Sequence, residues 1–176
     1  VGVIERLRKA VVALNALQHQ GLIDAYAIGG GMAVNFYTDP QSTYDLDVFI
    51  LVKPDAARKI ISLTDVYRYL KSQGGTWEEG HIVLDQLPLQ LIAAGSALEH
   101  EAVDRAQHRK VAGVEARVVS VEYLAAIAVQ TGRRKDREKV RRLLEEASLD
   151  RRALEALLKR HDLYETFKRW ELQNRD

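Results

Sequence analysis

The chain reads as an α/β protein of the α+β kind, a mixed sheet flanked by helices with a helical C-terminal part. Three observations predict this. A short apolar segment from Ala25 to Ile28 runs into Gly29-Gly30-Gly31 and then into a small, apolar stretch from Met32 to Tyr37. A second run, Asp45 to Val52, is apolar on both faces beyond its first residues, and the chain from Arg133 onward contains neither Pro nor Gly. The first is a strand, tight turn and helix, the second a central strand, and the third a succession of helices.

The elements follow in order. Ile4, Leu7, Val11 and Leu14 recur at helical spacing and Gly21 stops that opening helix. After the glycine turn and its helix, the turn-rich stretch Thr38 to Thr43 leads into the central strand. Ser62 and Asp65 have capping-box spacing and open a helix through Leu70, which ends at Gly74-Gly75. From Thr76 to Ala94 the pattern is an antiparallel set of short strands, with turns at Glu79-Gly80 and near Asp85-Gln86 and with Pro88 at a strand start or edge. A helix from about Ala97 to Gln107, a strand from Val114 to Val119 and a helix capped by Ser120 complete the sheet part. Three helices make up the tail, Asp150 serving as an N-cap with Leu149 and Leu154 at staple positions. Residues 1–132 are thus expected to form the core and 133–176 a helical extension packed on it.

The 176 residues, 47% hydrophobic and 29% charged, suffice for one core of this size and not for two unrelated large domains. With no cysteine there is no disulfide framework, thiolate metal site or cysteine nucleophile, which suits a cytoplasmic location. Nothing reads as a signal or membrane span. A net charge of +1 leaves the partner open. His19, His81, His100, His108 and His161 show no zinc-ligand spacing, and no nucleophile elbow occurs.

In Tyr44-Asp45-Leu46-Asp47-Val48 two carboxylates separated by one residue on a strand leave the same face, roughly 7 Å apart. Each raises the other's pKa, a cost that a bound divalent ion removes. A solvated strand end after a turn gives the same pattern. What sets this pair apart is the glycine run, because a strand ending in Gly29-Gly30 and passing into a helix aims free backbone N–H groups at an anion and lets a ligand approach closely. The spacing is that of neither the Rossmann fingerprint nor the P-loop.

Taken together, Ala27-Ile28-Gly29-Gly30, a short helix, a variable loop and Thr43-Tyr44-Asp45-Leu46-Asp47-Val48 resemble the signature of the DNA polymerase β-like nucleotidyltransferases. Within that superfamily the layout looks most like the AbiEii-type group, the toxin side of certain toxin–antitoxin and phage-defence pairs. Arg117 to Val119 followed by Ser120, Glu122 and Leu124, and then Gly132-Arg133-Arg134-Lys135-Asp136, resemble that group's strand, helix and lysine–aspartate segment. The resemblance covers roughly residues 25 to 146. It implies a nucleotidyltransferase fold in which Gly29 and Gly30, with Thr43, Arg133 and Lys135, hold a nucleoside triphosphate. Asp45 and Asp47 would be the catalytic metal ligands for magnesium or manganese, and an RNA, a protein or a small-molecule hydroxyl would attack the α-phosphorus. An antitoxin partner is also implied.

The chain departs from the family pattern at three places. Gln90 stands where a third carboxylate is usual, Ala128 where the AbiEii-type group tends to carry lysine, and Lys139 where it tends to carry an acid. An amide cannot act as a base and brings no negative charge to a second cation. Asp85, Glu78, Glu79 and His81 are the candidates to stand in for it. Two readings follow: a nucleotidyltransferase with altered catalysis, or a nucleotide- or partner-binding domain that has lost the reaction. Arg133, Arg134, Lys135, Arg137, Lys139, Arg141 and Arg142 form a basic cluster suited to triphosphate or RNA, although Asp136, Glu138, Glu145 and Glu146 interleave and can pair with it along a helix. Tyr44, Tyr67, Tyr69 and Trp77 are available to stack on a base or to pack.

Overall fold

Strand β2 (Leu46–Leu51) lies fourth of seven in one mixed sheet, flanked by β1 (Ala25–Ile28) antiparallel and by β5 (Leu87–Ala93) parallel. This is the arrangement in a computed structural model that describes residues 2–53 and 61–173. The remaining strands are β3 (Thr76–Glu78), β4 (His81–Leu84), β6 (Gln107–Val111) and β7 (Val114–Val118), in the order β3-β4-β5-β2-β1-β7-β6. Alternate residues Leu46, Val48 and Ile50 are fully buried on one face of β2, while Asp47 and Phe49 point to the other. Helix α1 (Val3–His19) covers the first face, where the Tyr26 hydroxyl donates to Asn15 Oδ1 at 2.6 Å. Burial pushes that phenol up to about 12.

Gly29 ends β1 and is the N-cap of the short helix α2 (Gly30–Val34). Helix α3 (Thr64–Ser72) follows, then the meander β3-β4-β5 and α4 (Ala97–Asp104). Both meander turns have two residues at positive φ, Glu79-Gly80 and Asp85-Gln86, as two-residue hairpin loops require. Helix α5 (Val121–Thr131) is almost entirely buried, packed against α2, α4 and the tail helices α6 (Arg134–Glu146) and α7 (Arg151–Arg160); α8 (Tyr164–Gln173) packs on α7 and buries Phe167 and Trp170. The tail is tied to the sheet part by polar bonds as well. Arg142 donates to Thr38 Oγ1 and Asp39 O at 2.8 and 2.7 Å, and the Asp150 amide donates to Glu122 at 3.0 Å.

Several sequence expectations need correction. The helix expected to reach Gln107 ends at Asp104, and Gln107 opens the edge strand β6, which forms a hairpin with β7 around Ala112-Gly113. Strand β6 buries only Val111, the Gln107-His108-Arg109-Lys110 run before it being polar throughout, so the alternation that marks a half-buried strand is missing. The Ser62–Asp65 box does not form: Leu63 is the N-cap of α3, and Ser62 Oγ donates to Thr64 Oγ1 instead. A genuine capping box opens α4, where Ser96 Oγ accepts from Glu99 N and Glu99 Oε2 accepts from Ser96 N. Ser120 is the N-cap of α5 by position, without a side-chain bond. Asp150 does cap α7, accepting from Ala153 N at 3.1 Å.

Candidate functional site

The floor of the site is made by the ends of three adjacent strands. Gly29 N donates to Asp47 O at 2.9 Å, so β1 delivers the glycine turn directly beside the acidic end of β2. Gly30 has φ +57°, a left-handed conformation that costs glycine little. A Cβ there would lie 1.8 Å from Asp47 Oδ2, and one at Gly29 would lie 2.6 Å from the Phe49 ring. The Asp47 carboxylate therefore rests on bare main chain, and no side chain fits at position 30 while Asp47 keeps its place. A Cβ at Gly31 would come within 3.2 Å of Thr43 Oγ1, whose hydroxyl donates to Asp45 O at 3.2 Å and steadies the loop that enters β2. Asp45 is exposed just before the strand begins, and Asp47 is half-buried within it.

Burial, and then the neighbouring Asp45 charge, raise the Asp47 pKa, while Lys139, Lys135 and Arg133 oppose the rise in that order. Among the described residues no hydrogen-bond donor reaches its side chain. Two carboxylates on one face that repel each other and face open space are a donor set for a hard divalent cation, and magnesium is commonly held by one or two carboxylates plus substrate phosphates. The residues present fit such an ion.

These groups open into a cleft of about 770 Å³ whose opposite wall is α5 and α6. Arg133, Lys135 and Lys139 all line it, alongside Asp45 and Asp47. Asp136, buried at the start of α6, holds two of the three cations: Oδ2 accepts from Arg133 Nε at 2.7 Å and from Arg133 N at 3.2 Å, and Oδ1 lies 3.4 Å from Lys139 Nζ. Burial alone would raise the Asp136 pKa, but the Arg133 and Lys139 charges hold it below the usual range. The basic cluster read from the sequence thus divides. Arg137 stacks on Trp170 and bonds Gln173, Arg141 pairs with Glu138 and Glu145, and Arg142, which also lines the cleft, is committed to the loop after α2 through Thr38 and Asp39 O, so these three are engaged in the fold. Arg134 is exposed and does not line the cleft.

Gln90 stands directly opposite Asp47 in the β2–β5 register and lines the cleft. The position expected for a third carboxylate is therefore beside the acidic pair and carries an amide. None of the candidate substitutes lines the cleft: Asp85 pairs with Lys9 of α1 at 2.9 Å, a contact that holds its pKa down, and Glu78, Glu79 and His81 belong to the β3–β4 hairpin at the sheet edge. Among the described residues no three His, Cys, Asp or Glu side chains form a metal-binding group. Ala128 is buried in the α5 wall. Of the aromatic candidates Tyr44 lies at the cleft, 86% exposed, whereas Tyr67 and Trp77 pack edge to face with ring centroids 5.1 Å apart and Tyr69 lines a separate groove against α1. Sequence reasoning missed Glu99 as a lining residue; its S-x-x-E spacing with Ser96 was the available signal.

No protein-family model and no curated protein sequence matches the chain. Solved structures do. An antigenic nucleotidyltransferase-like protein from Paracoccidioides brasiliensis superposes with a TM-score of 0.56 at 21% identity, covering 93% of each chain. The antibiotic-resistance factor ANT(2'')-Ia superposes with a TM-score of 0.52 at 16% identity, over 96% of this chain and 97% of that one. Its crystal structure in complex with adenylyl-2''-tobramycin gives 0.51 at 18% identity, over 85% of this chain and 94% of that one. The chain has the nucleotidyltransferase fold. Among the described residues no helix is long and apolar enough to cross a membrane.

Proposed function

We propose that the protein transfers a nucleotide from a nucleoside triphosphate to a hydroxyl group, with magnesium or manganese held by Asp45 and Asp47. The observation that carries this reading is the Asp47 carboxylate lying on the main chain of Gly30, with Arg133, Lys135 and Lys139 across the cleft. Polyphosphate laid along Gly29 and Gly30 meets main chain with no side chain in the way, the Gly29 N–H being already given to Asp47 O, and Arg133, Lys135 and Lys139 offset its charge. A bound divalent ion supplies charge neutralisation at the phosphates. The acceptor oxygen bonds to the α-phosphorus, the bond from that phosphorus to the bridging oxygen of the β-phosphate breaks, pyrophosphate leaves and the hydroxyl proton passes to solvent. Gln90 takes no proton and orients the hydroxyl through its amide. The chain's part is alignment and electrostatics, which carry most of phosphoryl transfer.

For the acceptor, the ANT(2'')-Ia complex with adenylyl-2''-tobramycin supports a small-molecule hydroxyl, ahead of RNA or protein. Membership of the AbiEii-type group, with an antitoxin partner, rests on the sequence resemblance through Gly132 to Asp136. The second reading, a binding domain that has lost the reaction, is favoured by one observation, the amide of Gln90 in register with Asp47. Two measurements separate these. Titration calorimetry with a nonhydrolysable triphosphate is expected to show magnesium-dependent binding that weakens at least about 100-fold, or about 2.7 kcal/mol, in Asp45→Asn/Asp47→Asn. Label from an α-labelled triphosphate is expected in an acceptor with wild type and not with Asp45→Asn; magnesium-dependent binding with no labelled product from any acceptor class selects the second reading, and no binding at all removes both.

A further inference from the structure

Two-metal phosphoryl-transfer sites place their ions about 4 Å apart, one on the attacking oxygen and one on the leaving group. Holding two divalent ions that close requires several negative ligands between them, because the ions repel each other strongly. Among the described residues the cleft does not offer them. Of the described acids lining it, Asp45 and Asp47 are the two uncommitted ones: Glu99 caps α4 through Gly95 N and Ser96 N at 2.7 and 3.1 Å, Glu138 pairs with Arg141, and Asp136 is held by Arg133 and Lys139. Beside Asp47 the neighbouring strand presents the neutral Gln90.

A lysine stands in the same cleft. Lys139 lines it with a side chain only 22% exposed, its Nζ tethered to buried Asp136 rather than free to swing in solvent. A fixed ammonium and a second divalent ion at this spot exclude each other electrostatically, and the ammonium can bond phosphate oxygens through three N–H groups.

We infer that this site binds a single divalent cation with its nucleotide, on Asp45 and Asp47, and that the Lys139 ammonium takes the place of a second one. The inference rests on the nucleotidyl-transfer reading above and narrows it to one-metal chemistry assisted by lysine.

The test counts ions rather than turnover. Free manganese is followed by electron paramagnetic resonance while the full chain is titrated with Mn²⁺, in the presence of a nonhydrolysable nucleoside triphosphate kept below the protein concentration. Wild type is expected to bind one Mn²⁺ per bound nucleotide, and Gln90→Asp/Lys139→Met is expected to bind two. Two ions on wild type, or one on both proteins, overturns the inference while leaving nucleotide binding intact. The wild-type count stands alone should the double variant not fold. No manganese and no nucleotide on wild type overturns the transfer reading itself, and this inference with it.

Discussion

Asp47 and Asp136 face the same cleft from opposite sides and are perturbed in opposite directions. Asp136 is buried and satisfied: it closes the first turn of α6 and gathers Arg133 and Lys139. Asp47 is half-buried, laid against glycine and beside another carboxylate, with no donor reaching it among the described residues. The lesson is that burial of an acid does not by itself signal function. A partnered acid organises the wall; an unpartnered one, whose charged form is disfavoured by burial and by its neighbour, is the one to test for a cation.

The comparison breaks first at Gly30. Gly30→Ala adds a methyl where Asp47 Oδ2 now sits and imposes a left-handed alanine, so it is expected to cost about 1–3 kcal/mol in urea unfolding and to abolish magnesium-dependent nucleotide binding by displacing Asp47. Next comes Asp136→Asn, expected to cost about 2 kcal/mol by the same assay as α6 loses its cap and two cations lose their anchor. Nucleotide affinity then falls with stability, whereas a metal ligand would lose affinity alone.

Asp47→Asn is expected to do the opposite to stability, raising the metal-free Tm by about 1–2 °C. The pH dependence sharpens the contrast. The folded pKa of Asp47 is raised, so its penalty is present above that value and is relieved as pH falls through it; the folded pKa of Asp136 is lowered, so its contribution is full above the unfolded value of about 3.9 and is lost as pH falls through the folded one. Unfolding midpoints of metal-free wild type, compared across pH with the two Asn variants, are expected to show the Asp47 component disappear first on acidification and the Asp136 component last. Saturating magnesium removes the former and spares the latter. Smallest of all is Arg141→Ala on the solvated face of α6, expected to leave both midpoint and nucleotide affinity unchanged.

Gly29-Gly30 and Asp45-Leu46-Asp47 were legible because each is chemically odd where it stands, and the β2–β5 register brings Gln90 to the place the sequence pattern indicates. The glycine-poor edge was harder. Strand β6 has no apolar alternation, burying only Val111 at its end, and only the Ala112-Gly113 turn marks it. The basic cluster was legible in composition and not in role: whether Arg142 faces a phosphate or a loop carbonyl depends on where α6 docks, which is a matter of tertiary packing. The same holds for Asp136, whose short-range partners Arg133 and Lys139 are visible at i−3 and i+3 but whose burial under α5 is not.

The hydrogen bond from Gly29 N to Asp47 O places the floor of the site inside the ladder of the most central strands. Amide deuteration at Gly29 is expected to be among the slowest in the chain, since it requires the central strands to part. The two sides of the cleft are therefore built differently, a floor of main chain inside the sheet and a wall of helix held by the side chain of Asp136.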